Sequence, residues 1–119
     1  MISSNLYCER EVARIANEIV DLVERTGGPV FLHEIEEQVR GFRASYPNAW
    51  GHFVGHHRNE ACIWDDMTEA GYKALRRVLN ERKVASQGVS KRAYRSKGCV
   101  RVPGPNWLPI VLLPCARPR

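Results

Sequence analysis

The chain has 119 residues, 44% of them hydrophobic, and a formal net charge of +5, which is enough to bury one core and too short for two domains of ordinary size. Its charge is divided: residues 1–70 carry six Lys/Arg against twelve Asp/Glu, while residues 71–119 carry twelve Lys/Arg against the single acid Glu81. The longest apolar stretch, Trp107 to Leu113, is interrupted by Pro109 and falls well short of the roughly 20 residues of a membrane span.

Met1 to Arg10 lack the basic and apolar regions of a secretory signal, so a soluble cytoplasmic protein is expected. The cysteines Cys8, Cys62, Cys99 and Cys115 show no short paired spacing and read as reduced thiols. A basic half of this strength calls for an anionic partner, nucleic acid before others.

From about Glu9 to Arg25, Val12, Ile15, Ala16, Ile19, Leu22 and Val23 recur at helical intervals between charged residues, which predicts an amphipathic helix. Gly27, Gly28 and Pro29 end it. Val30 and Phe31 suit a small strand, and the stripe Leu32, Ile35, Val39 and Phe42 predicts a second helix ending near Gly41. Residues 43–64 follow neither period and read as a long loop, an insertion or a missed element. Within them Ala49 to Val54 would hold a short helix or turn, and Ala61 to Trp64 an extended piece.

Asp66 as N-cap with Glu69 three residues on predicts a third helix, with Met67, Ala70, Ala74, Leu75, Val78 and Leu79 on one face. Gly71 in its interior points to close packing against another element. The opposite face carries Tyr72, Lys73, Arg76, Arg77, Asn80 and Lys83. Val84–Ser86 leaves the helix as a strand, the alternation over Val89 to Arg95 and the turn Ser96-Lys97-Gly98 before Cys99–Val102 predict a basic β-hairpin, and Trp107 to Leu113 reads as a terminal strand whose Pro109 favours an edge or bulge.

Helix, short strand, helix, helix and then a hairpin resembles the winged-helix superfamily of DNA-binding domains. Residues 28–35 are similar to the small strand leading into its second helix, 68–79 to its recognition helix, and Lys83-Val84 to the start of its wing. The resemblance implies an α+β, winged-helix-like fold with three helices and a C-terminal β-hairpin or small antiparallel sheet. An N-terminal segment (1–8), a single domain (9–113, with 43–64 as an atypical long loop or insertion) and a flexible basic tail (114–119) would complete the chain. The twenty-odd residues between Gly41 and the third helix depart from the usual short turn.

The implied function is that of a small double-stranded-DNA-binding protein, a transcriptional regulator without catalysis or cofactor. Tyr72, Lys73, Arg76, Arg77 and Asn80 would meet bases and phosphates from the helix, and Lys91, Arg92, Arg95, Lys97 and Arg101 would grip the backbone from the wing. The resemblance also implies a homodimer, with the first helix or the terminal strand as its contact. A protein-interaction module of the same fold is the main competitor, with RNA binding behind it. His52, His56, His57 and Cys62 are candidate zinc ligands, with Glu60 or Asp65 beside a metal-bound water, but no standard zinc spacing is present and incidental histidines are the plainer reading.

Overall fold

A computed structural model of the chain describes residues 2–45, 50–54, 61–103 and 106–115, and within them the side chains of 8–45, 61–103 and 106–115. In chain order the elements are α1 (Ile2–Thr26), β1 (Val30–Phe31), α2 (Leu32–Gln38), β2 (Trp50–Val54), β3 (Ala61–Met67), α3 (Glu69–Asn80), β4 (Val84–Gly88), α4 (Lys91–Ser96) and β5 (Ile110–Pro114). The chain is thus α+β. The described residues hold four helices, one more than expected, with a three-stranded antiparallel sheet in the order β1-β5-β4 and a two-stranded hairpin, β2-β3.

The α1 stripe predicted from periodicity is the floor of the core: Val12, Ile15, Ala16, Ile19, Leu22 and Val23 are all buried. They face Leu32 and Ile35 of α2, Ala74, Leu75 and Val78 of α3, and Val111 and Leu112 of β5, within one apolar cluster. Full burial of each such side chain stabilises the fold by about 2 kcal/mol. α1 runs from Ile2, so residues 2–8 of the expected N-terminal segment are helical. It ends where the Gly27 N–H bonds the Val23 carbonyl at 3.1 Å with Gly27 at φ 70°, the left-handed closure that glycine permits. Among the described residues no helix is long and apolar enough to cross a membrane, and all four cysteines are free thiols.

The region expected as loop or insertion contains the β2-β3 hairpin, in which His52 pairs with Trp64, Phe53 with Cys62 and Val54 with Ala61. Its β3 strand is tied at both ends. The Ala44 N–H bonds the Asp66 carbonyl at 2.8 Å and the Thr68 N–H bonds the Phe42 carbonyl at 3.0 Å, while Cys62 exchanges bonds with Asn106 and Leu108. Asp66 is not the N-cap of α3: it lies within β3 at φ 57°, and Thr68 caps instead, its hydroxyl oxygen accepting the Gly71 N–H.

The expected basic hairpin over 89–102 does not form. Ser90 accepts the Ala93 N–H and caps α4, and Cys99–Val102 lies outside any strand. A two-residue period would have sent Arg92 inward together with Tyr94. The short helix buries Tyr94 and leaves Lys91, Arg92 and Arg95 in water.

The terminal strand also differs. β5 is the middle strand, pairing with β1 (Val30 with Leu112) and with β4 (Ser86 with Leu112). Pro109 stays just outside it, lending only its carbonyl to the Val89 N–H. A strand flanked on both sides has no free edge to offer a second copy, so the expected dimer contact through this strand has no edge to use. Residues 116–119 of the expected tail lie outside the described residues.

Candidate nucleic-acid interface

Exposed cations cluster on and just beyond two elements, α3 and α4, while Arg10, Arg25, Arg40 and Arg43 are exposed elsewhere. On α3 the apolar side is Gly71, Ala74, Leu75 and Val78, and Gly71 makes the close approach its position suggested: a Cβ there would stand 2.6 Å from the Phe42 carbonyl oxygen. That seats α3 against the chain after α2 and turns Lys73, Arg76 and Asn80 to solvent.

The basic residues of α3 are not equivalent. Lys73 contacts Glu69 at 2.8 Å, and this hydrogen bond raises the pKa of the ammonium. Arg76 donates to the Tyr72 hydroxyl at 3.2 Å with its guanidinium 5.7 Å from the ring centroid, so Tyr72 steers it outward. Arg77 turns toward α1 and meets Glu9 at 3.4 Å. Asn80, at the end of the helix, is exposed, as are Arg82 and Lys83 just beyond it. Arg82, at φ 55°, is a cation that reading α3 by its faces missed.

α4 is pinned by one side chain. Tyr94 is fully buried, its hydroxyl donating to the Ile110 carbonyl and accepting the Leu32 N–H at 3.0 Å. Its ring meets Phe31 edge-on at 4.8 Å and Trp107 at 5.0 Å, and burial pushes the pKa of its phenol up. The His33 Nε2–H donates to the Lys97 carbonyl at 3.1 Å, fastening the end of the helix. With Tyr94 inward, Lys91, Arg92, Arg95 and Lys97 are exposed, and the Lys97 ammonium lies 5.7 Å from the Phe31 ring centroid. Among the described residues no ion pair engages any of these four.

Arg101 stands apart from them. Its guanidinium bonds Glu36 and Asp65, reaches Asp66 at 3.2 Å and the Asp65 carbonyl at 3.0 Å, and lies 4.3 Å over the Trp64 ring. With a side chain 18% exposed against a Glu36 that is 7% exposed, its charge is already neutralised within the fold. The expected phosphate grip is therefore replaced by a clamp joining the chain after α4 to α2 and β3. Burial opposes the charge, and the bonds to Asp65 and Glu36 outweigh it, so the pKa of the guanidinium is raised.

Among the described residues no group of three or more His, Cys, Asp or Glu is arranged to hold a metal ion. Of the candidate zinc ligands, Cys62 is buried in β3, while the side chain of His52 and all of His56 and His57 lie outside the described residues, as does Glu60. Asp65 is engaged by Arg101. Comparison with family models, curated proteins and solved structures found no match to this chain.

Proposed function

We propose that this chain is a winged-helix protein that binds double-stranded DNA and acts as a transcriptional regulator, with α3 reading the duplex and α4 gripping its backbone. The observation that carries the reading is the partition of charge. Glu11 and Glu18 pair with Arg14, Asp21 with Arg25, Glu69 with Lys73, Glu9 with Arg77, and Glu36, Asp65 and Asp66 with Arg101. Of the exposed cations with no ion pair among the described residues, Arg76, Arg82, Lys83, Lys91, Arg92, Arg95 and Lys97 lie in the second half and Arg10, Arg40 and Arg43 in the first. Phosphate neutralisation is the use such groups serve best.

The succession helix, short strand, helix, helix and two mutually paired strands, with the short strand joined to the last, supports the same reading. In it the hairpin β2-β3 is an insertion ahead of the recognition helix, and α4 occupies the connection where a wing would stand. Arg76 and Asn80 are the base-reading side chains, since an arginine fits guanine and an asparagine adenine. Lys73, partly neutralised by Glu69, is a phosphate contact.

Fluorescence anisotropy of a labelled random duplex, titrated over a salt series, tests this. The association constant is expected to fall linearly with salt on logarithmic axes, and replacing Lys91, Arg92 and Arg95 together with alanine should lower that slope by about 2–3. An unchanged slope in the folded triple variant removes α4 from the interface. No binding at low salt overturns the function itself.

A further inference from the structure

The residues after α4 alternate in an inverted sense. Cys99 is buried, Val100 is 96% exposed, Arg101 is inward, Val102 is 74% exposed and Pro103 is buried. An extended chain over a core ordinarily turns its valines inward and its cation to water, and a one-residue slip would achieve that here. The slip is prevented. Glu36, Asp65 and Asp66 hold Arg101 down, the Cys99 N–H bonds the Tyr94 carbonyl at 3.1 Å, and the Cys99 thiol bonds the Arg101 carbonyl at 3.3 Å.

The backbone of the same segment is also unused. Among the described residues no hydrogen bond engages the N–H or C=O of Val100 or of Val102. In an extended chain residues i and i+2 present these groups along one edge, which is a template for a further strand. β-Branched side chains are the ones such pairing packs best. At the α4 end of the segment stand Arg95 and Lys97, exposed and with no carboxylate partner among the described residues.

We infer that residues 99–103 are a docking edge for an extended acidic peptide of a protein partner. The peptide adds a strand to the backbone of Val100 and Val102, sets apolar side chains against the two valines, and lays carboxylates toward Arg95 and Lys97. Charge complementarity selects acids at that end, because Arg95 and Lys97 are exposed there and have no ion pair among the described residues. Cys99 and Arg101 are already held by bonds to the core, so less ordering opposes docking. The inference does not require DNA binding.

The test uses the whole chain and a short labelled peptide alternating valine with glutamate, followed by anisotropy without DNA. The wild type should bind in a salt-weakened manner, and the double variant V100S/V102S should bind roughly tenfold more weakly or worse while retaining the wild-type urea midpoint, as exposed positions allow. N-methylation of the peptide backbone should abolish binding, which attraction between charges alone would not predict. Equal binding by V100S/V102S, tolerance of N-methylation, or no binding by the wild type overturns the inference. So does a V100S/V102S variant whose only defect is weaker duplex affinity or the loss of a homodimer, since the valines would then belong to DNA or to a second copy.

Discussion

Replacing Gly71 with alanine measures how tightly α3 is seated, because the new Cβ would stand 2.6 Å from the Phe42 carbonyl oxygen and 3.1 Å from its Cα. Alanine in a helix interior ordinarily gains about 1 kcal/mol over glycine, but overpacking against backbone costs about 1–3 kcal/mol. Urea unfolding of Gly71→Ala should therefore show a net loss of up to about 2 kcal/mol, and a more stable variant would mean that the helix can move away. This contact was legible in advance, since a glycine among good helix formers has few other uses. The role of Arg101 was not. Its partners Glu36, Asp65 and Asp66 are remote in sequence, and the only hint was that those acids needed a cation.

At the scale of elements, α1 and α3 were legible because each buries a stripe that repeats at helical spacing over several turns, whereas α2 stops at Gln38, short of the expected end near Gly41, with Val39 and Phe42 of its stripe buried outside the helix. α4 was not, because a helix from Lys91 to Ser96 with a single buried residue, Tyr94, has no period to display. Its one clear signal was Ser90 ahead of Lys91-Arg92-Ala93, which suits an N-cap. The hairpin β2-β3 was hidden by irregular register, with shifts on either side of His52. The Arg101 clamp joins this hairpin and α2 to the segment 99–103. Arg101→Met should cost about 3 kcal/mol, because Glu36 is left buried without its counter-charge. It should also speed amide exchange across 99–102 and 106–108 more than in α1. Uniform exchange in the variant would show that the clamp holds nothing locally.

For the molecule as a whole, the buried Tyr94 phenol sets an alkaline limit. Its pKa in the folded chain is raised by burial, whereas in the unfolded chain it is about 10. The folded state thus keeps a proton that the unfolded state releases. Stability from this group is complete below about pH 10 and declines as the pH climbs toward the folded value, by up to about 1.4 kcal/mol per pH unit. Tyr94→Phe should remove that part of the decline. At neutral pH it should also lose about 2 kcal/mol, since the Leu32 N–H and Ile110 carbonyl lose their partner. Urea midpoints of both proteins between neutrality and pH 11 check the sign, and parallel curves would place the alkaline limit elsewhere. The division of charge was fully legible in the sequence, but which cations remain uncommitted depended on long-range pairing that no local pattern encodes.

The middle place of β5 bears on how this chain emerges from a ribosome. Among the described residues β1 and β4 pair only with β5, so the sheet cannot close until residue 114 has left the exit tunnel, long after the stripe of α1 has been made. Until then that stripe and the unpaired β1, joined by β4 once residues 84–88 have been made, stand open to water, the kind of surface on which nascent-chain chaperones act.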